Sequence, residues 1–252
     1  MAVRSRALLS SRAMRIAHAL AILVLGCTLG CTNKQPAAGA DGKAGATPNA
    51  AAQPSGGSPA LLDPSLAKEQ APATYRVRLE TTKGNVVLEL HRDWSPEGAD
   101  RFYNLVKAGF FEHVAFFRAL DDFMVQFGMS GEPAVQRAWN AYPIPDDPAT
   151  GHSNERGTIT FAKKGTPNSR TTQVFINIKQ QGNAALDSMG FTPFGKVIEG
   201  MDVVDSFYRE YGEGAPKGPG PNQMLIEKEG NAYLERDFPK LDWLEKAVLV
   251  EG

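Results

Sequence analysis

Cysteine is nearly missing from this chain, Cys27 and Cys31 being its only two. Both precede every segment patterned like a folded domain, so no disulfide and no thiolate metal site can form further along. Histidine is sparse as well: His18, His91, His113 and His152 are too dispersed for a ligand repeat, and no metal site is expected. Excess charge of either sign is absent, the formal net charge being -1. Beyond the first fifteen residues lysines and arginines are scattered among acids, so no positive field gathers for nucleic acid, which is not an expected partner. A long hydrophobic run is missing too. The apolar stretch "IAHALAILVLG" extends over about ten residues, half of the roughly twenty a membrane-spanning helix needs. What is present is an ordinary globular composition over 252 residues, 42% hydrophobic and 22% charged, with room for a sizeable core.

Arg4, Arg6, Arg12 and Arg15 stand ahead of that apolar stretch, the charge-then-hydrophobe order of an export signal over residues 1–26. "VLGC" follows at Val24 to Cys27 and resembles the lipobox of bacterial lipoproteins, in which the cysteine thiol receives a diacylglyceryl group. "TLGC" at Thr28 to Cys31 fits more loosely and keeps Cys31 as the alternative, above all if translation starts at Met14. Several acyl chains anchor stably where one holds only marginally. An ordinary cleaved secretory signal is the remaining reading. From residue 27 to 72 the chain is mostly Ala, Gly, Pro, Ser, Asn and Gln, too poor in bulky apolar side chains to offset its ordering entropy. The expectation is a disordered tether and a domain spanning 73–252.

In "YRVRLETTKGNVVLELHRD", Tyr75, Val77, Leu79 and then Val86, Leu88, Leu90 alternate around a "TTKGN" turn, which predicts a half-buried hairpin. "SPEGADRFYNLVKAG" predicts a helix with Ser95 as N-cap, Pro96 at its first position and Gly109 at its end. Further strands are expected around Phe116 to Phe127, Thr158 to Ala162, Thr172 to Ile178, Phe194 to Val197 and in "LEKAVLVEG". A second helix is expected in "GMDVVDSFYREYG", where Val204, Phe207, Tyr208 and Tyr211 share one face. Many short strands with two clear helices suggest a β-barrel or sandwich.

One strand poses a problem. "FFRALDDFMVQFG" is mostly apolar yet contains Arg118 and Gln126, and unpaired polar groups cost roughly 2–7 kcal/mol when buried. With its Phe117, Arg118, Phe123, Met124, Gln126 and Gly128, this stretch resembles the cyclophilin signature. "TITFAKKGTPNSRTTQVFIN" is similar to that family's second block, through Ala162, Pro167 to Ser169, Gln173, Phe175 and Asn177. "ALDSMGFTPFGKVIEGMDVVD" is similar to its third, through Leu186, Asp187, Phe194 and Gly195. The likeness covers roughly Tyr75 to Tyr211.

The resemblance implies a mainly β fold, a closed eight-stranded antiparallel β-barrel capped by two α-helices. It also implies cofactor-independent peptidyl-prolyl cis-trans isomerase activity on proline-containing polypeptides. By the same likeness Arg118 is the catalytic donor, and Gln126 orients it and helps hold substrate. Phe123, Met124, Phe175 and Leu186 form the proline seat, with Phe191 standing where relatives have histidine. Gln173 and the backbone at Ala162 and Lys163 hydrogen-bond the flanking peptide. Ala185 stands where many relatives carry tryptophan, which loosens one wall and argues against tight cyclosporin binding. Phe110, Phe111 and Phe116 are left to the core. The expected whole is a monomeric folding assistant in the cell envelope, lipid-anchored to a bacterial membrane with its domain facing the periplasm or exterior. Two other readings compete: a non-catalytic module of the same fold that binds proline-bearing segments, and a small-ligand carrier with an apolar lumen.

Overall fold

A computed structural model describes residues 57–250. The export signal, Cys27, Cys31 and the tether up to residue 56 lie outside the described residues. The rest of the expected tether does not behave as one. Two 3-10 turns, Pro59–Leu61 and Pro64–Leu66, lead into the domain, and Ala60 and Ala71 are buried in its main core. Asn104 holds the incoming strand by its backbone, accepting from the Glu69 N–H at 3.0 Å and donating to the Glu69 carbonyl at 2.7 Å. Alanine-rich chain can dock this way because small side chains fit close to a surface and a buried amide supplies the hydrogen bonds. The ordered domain therefore starts well before residue 73.

The hairpin forms as its alternation dictates. Strands β1 (Thr74–Thr81) and β2 (Gly84–His91) pair antiparallel from Thr74 opposite His91 to Thr81 opposite Gly84. Helix α1 (Pro96–Ala108) follows and closes on Gly109, whose φ of 77° is left-handed, a conformation glycine adopts without a Cβ clash. Ser95 occupies the N-cap position, but its side chain does not cap. Asp147 does so from a distance, accepting from the N–H groups of Glu97 (2.9 Å) and Gly98 (3.0 Å). The same carboxylate accepts from Ser95 Oγ and from buried Arg170 at 2.8 Å.

The remaining elements are β3 (Val114–Ala115), β4 (Arg118–Leu120), β5 (Met124–Phe127), α2 (Pro133–Asn140), β6 (Thr158–Phe161), β7 (Val174–Asn177) and β8 (Pro193–Glu199). They are followed by α3 (Met201–Asp205), α4 (Gln223–Glu229), α5 (Asn231–Asp237) and β9 (Trp243–Val250). All nine strands join one antiparallel sheet in the order β3-β9-β1-β2-β8-β6-β7-β5-β4. Its two edge strands are neighbours in the chain, with only Phe116 and Phe117 between them, so the sheet must curl strongly. No ladder joins β3 to β4, however. The result is an open, strongly curled nine-stranded sheet, which corrects the expected closed eight-stranded barrel. The chain breaks its pairing because Phe116 still donates to the Asp242 carbonyl beside β9, while Arg118 already pairs with Gln126 of β5.

The helix inventory also departs from the expected two. Five α-helices occur among the described residues. The predicted long second helix stops at Asp205, because the Tyr208 N–H turns to the buried Asp242 carboxylate at 2.7 Å and Phe207 stacks on Phe116 at 4.0 Å. Inside the curl, Phe102, Phe111, Phe116, Phe127, Trp139, Phe161 and Phe194 are almost wholly buried, and Phe110 joins the same cluster. Aromatics fill the interior, which contradicts an open lumen for a carried ligand. A second cluster, built on Phe117, Met129, Ile226, Tyr233, Leu234 and Phe238, seats α4 and α5 outside the sheet.

Candidate active site

Alternation along four adjacent strands sorts their side chains. Ala119, Val125, Phe127, Ile159, Phe161, Val174 and Ile176 enter the main core. The alternate residues must face the other way, since successive strand side chains point to opposite faces. Register then lines them up. Arg118 lies opposite Gln126, Gln126 opposite Phe175 and Phe175 opposite Thr160, which makes one continuous rung across β4, β5, β7 and β6. The next rung runs from Leu120 to Met124 to Asn177. Opposed residues have Cβ atoms about 4.5–5.5 Å apart, so a polar row and an apolar notch arise side by side.

The notch is an apolar cluster separate from the core. Met124, Phe175 and Leu186 are buried in it, with Phe123, Leu120, Ala162 and Phe191 packed alongside. Thus all the side chains expected to seat a proline come together, Phe191 included, its ring 6.0 Å from that of Phe175 in an edge-on arrangement. Ala185 is exposed at the rim. Lys163 lies over the Phe191 ring at 5.5 Å and 3.5 Å from Asp146. The Ala162 N–H is already committed to the Gln173 carbonyl at 2.9 Å, so of its two backbone groups only the carbonyl is left to address a peptide.

Beside the notch runs a chain of polar side chains. Arg118 Nη1 donates to Gln126 Oε1 at 2.9 Å, Gln126 Nε2 to Gln173 Oε1 at 2.7 Å, and Gln173 Nε2 to Gln223 Oε1 at 3.3 Å. The Arg118 guanidinium carbon sits 5.9 Å from the Phe123 ring centroid. Its other edge is held by Glu213, which accepts from Nε and Nη2 at 2.7 Å each. Burial pushes the Glu213 carboxyl up, but hydrogen bonding and charge from Arg118, helped by the Gly214 N–H, outweigh it and hold the group below its ordinary value. The stretch expected as one strand is thus a hairpin of β4 and β5, and its two polar side chains pair across it.

Sequence reasoning missed what supports the notch. Asn183 donates to the Phe123 carbonyl (3.0 Å) and to Asn177 Oδ1 (2.7 Å), and Asn177 donates to Thr158 Oγ1 (2.9 Å) and Asn154 Oδ1 (3.2 Å). Asn154 in turn donates to the Phe191 carbonyl and to Asp187, both at 2.7 Å. One buried network therefore fixes the backbone of Phe123, that of Phe191, and the 3-10 turn Ala184–Met189 bearing Leu186. Burial raises the Asp187 carboxyl, yet donors from Ser153 and Asn154 outweigh this and lower it. Glu213 and Gln223 were missed as well. Glu213 lies in the Gly- and Pro-rich stretch after α3 and Gln223 opens α4 just beyond it, and neither carries a pattern that points to a site.

Residues 76–227 match the family model for cyclophilin type peptidyl-prolyl cis-trans isomerases. Over 142 residues the chain is 37% identical to a peptidyl-prolyl cis-trans isomerase of Acinetobacter baylyi, covering 56% of this chain and 75% of that protein. It is 29% identical over 179 residues to peptidyl-prolyl cis-trans isomerase B of Escherichia coli, covering 69% and 98%. A crystal structure of a Cryptosporidium parvum cyclophilin type isomerase superposes with a TM-score of 0.52 at 19% identity, over 71% of this chain and 99% of that one. That likeness concerns the fold.

Proposed function

Given that this chain belongs to the cyclophilin-type peptidyl-prolyl cis-trans isomerase family, we propose that its reaction takes place on the rung Arg118–Gln126–Phe175 and the notch beside it. The isomerase activity acts on proline-containing peptides and assists folding. X-Pro isomers differ by only about 0.5–1 kcal/mol, but interconvert over tens of seconds because amide resonance must be broken. No covalent bond is made or cleaved. The catalyst needs to favour the twisted amide over both planar forms, and the twisted form differs in having regained a lone pair on nitrogen. Shortening tens of seconds to about a millisecond requires roughly four to five decades, or about 6–7 kcal/mol.

Two features of the site supply that difference. The apolar notch of Met124, Phe175, Leu186 and Phe123 takes the proline ring. Arg118, which cannot deprotonate and presents a planar fork, donates toward the prolyl amide. Such a donor set in advance is worth more in a partly dry site than in water. Gln126 braces the guanidinium, while Gln173 and the Ala162 and Lys163 backbone hold the flanking peptide. The observation that carries this reading is the placement of a guanidinium and an apolar notch on adjoining rungs of one sheet face.

The finer setting is part of the proposal. Residues 1–26 export the chain, Cys27 (or Cys31) bears the lipid, and the Ala-, Gly- and Pro-rich stretch that follows holds the domain on the periplasmic or outer side of a bacterial membrane. The charge-hydrophobe-cysteine order of the sequence supports it. One observation favours the binding-module alternative, namely that Glu213 already occupies one edge of Arg118. Relaxation of a cis-enriched Ala-Pro peptide, followed with the wild-type chain and with Arg118→Ala, separates the two. Acceleration by the wild type that drops at least about hundredfold in the variant supports isomerisation at this site. Peptide binding without acceleration supports the module, and equal rates for both proteins reject the role of Arg118.

A further inference from the structure

Glu213 belongs to no element that the sequence singles out, yet it makes the shortest pair of contacts at the Arg118 guanidinium. Its backbone is firmly held. The Gly220 N–H donates to the Glu213 carbonyl at 2.8 Å, Gly214 and Gly220 form a bridge, and the Gly214 N–H donates to Glu213 Oε1 at 3.0 Å. Side chains at Gly218 or Gly220 would run into that carbonyl, so the tight loop depends on their absence. Ten residues further on, Gln223 reaches the opposite end of the polar row. A single segment thus grips the site from both ends.

Which edge of the arginine Glu213 holds decides what it does. A guanidinium has five N–H donors. Nε and one hydrogen of Nη2 go to Glu213, and one hydrogen of Nη1 goes to Gln126. The second hydrogens of Nη1 and Nη2 are left for substrate, the former with only a weak thioether acceptor to displace. Nη1 also donates, at 3.9 Å, to Met124 Sδ, a weak acceptor inside the proline notch, so the edge away from Glu213 borders the notch while the Nε edge faces the loop. A carboxylate blocking the site would take the notch-facing donors. This one takes the others.

Resting on the assignment of Arg118 as the donor, we propose that Glu213 is a positioning residue for the isomerisation: it fixes one edge of the guanidinium so that the opposite edge meets the prolyl amide. Without it, a long side chain with several freely rotating bonds keeps Gln126 and the weak Met124 thioether as partners and must be ordered by the substrate itself, a cost that falls on the chemical step. Glu213→Gln retains shape but replaces one acceptor by an amide donor facing the Arg118 donors.

The test uses the full chain, an Ala-Pro tetrapeptide and exchange NMR to separate kcat from KM. Glu213→Gln is expected to lower kcat about tenfold with KM changed less than about twofold. In an Arg118→Ala background the same change is expected to have no further effect. The Arg118 Nε–H resonance of the wild type is expected to be slowly exchanging and to stay so with peptide bound. An unchanged or raised kcat in Glu213→Gln overturns the proposal, as does loss of the Nε–H signature on peptide binding, which would mark Glu213 as a plug that substrate displaces. If Arg118→Ala itself retains full activity, the underlying assignment fails instead, so the two failures are told apart. The Nε–H measurement needs no variant and holds even if Glu213→Gln folds poorly.

Discussion

Replacing Arg118 by lysine keeps the positive charge and removes the fork, which makes it a sharper perturbation than alanine. The guanidinium meets Glu213 through Nε and Nη2 and Gln126 through Nη1, three contacts spread over three nitrogens. An ammonium has three donors diverging from a single nitrogen. Drawn to Glu213, that nitrogen leaves Gln126 and the notch unserved; drawn to the notch, it leaves a partly buried carboxylate without its partner. The two donors of arginine taken by neither Glu213 nor Gln126 are the ones at stake. Hydrogen bonds to charged groups are worth about 1.5–3 kcal/mol each, so losing both removes roughly 3–6 kcal/mol of the 6–7 kcal/mol the reaction needs. Because the ammonium still contributes charge, the lower end applies, a fall in kcat/KM of roughly hundredfold or more. Exchange NMR on a proline tetrapeptide, with circular dichroism to verify folding, measures it. A lysine variant within about fivefold of the wild type would refute the argument, since charge without geometry would then suffice.

Three further outcomes follow from particular contacts. Phe175→Ala removes a wall of the notch outside the main core, so kcat/KM should fall roughly tenfold or more while stability drops less than in Phe127→Ala, a core truncation costing about 3–5 kcal/mol; the reverse order in a urea titration contradicts the separation of the two clusters. Asp147→Ala strips the cap from α1 and leaves Arg170, 4% exposed in its side chain, without its closest carboxylate. It should cost about 3–5 kcal/mol in urea unfolding, and a loss under about 1 kcal/mol would contradict the cap. For Asp187 the folded pKa is lowered, so its stabilisation is fully present above the unfolded value of about 3.9 and disappears as pH falls through the lower folded value. The stability gap between wild type and Asp187→Asn should therefore narrow from pH 7 to pH 3, and a constant gap tells against the network.

What could be read in the sequence is what a period of two encodes. Tyr75, Val77 and Leu79 had to share a face, and so did Arg118 with Leu120, and Gln173 with Phe175. The site followed from those alternations joined to the family likeness. What escaped is set by contacts between distant residues. Ser95 looked like the cap of α1, but Asp147, more than fifty positions later, supplies the acceptors. Phe207, Tyr208 and Tyr211 had helical spacing, yet Asp242 draws the backbone at Tyr208 out of the helix and Tyr211 packs edge-on against Phe238 at 5.0 Å. Residues 57–72 had the composition of a tether, and nothing local reveals that Asn104 and Asp100 await their N–H groups. Glu213 is the clearest case. An acid between glycines in a loop carries no signature until the fold brings it to Arg118.

Where a proline docks decides whether Arg118 and the notch beside it form the catalytic site. Intermolecular nuclear Overhauser effects between a bound Ala-Pro peptide and the protein should connect the proline ring protons to Phe123, Met124, Phe175 and Leu186, with the Arg118 guanidinium hydrogens beside them. Contacts confined to another face, or a peptide that binds at this notch with its proline turned away from Arg118, would contradict that assignment.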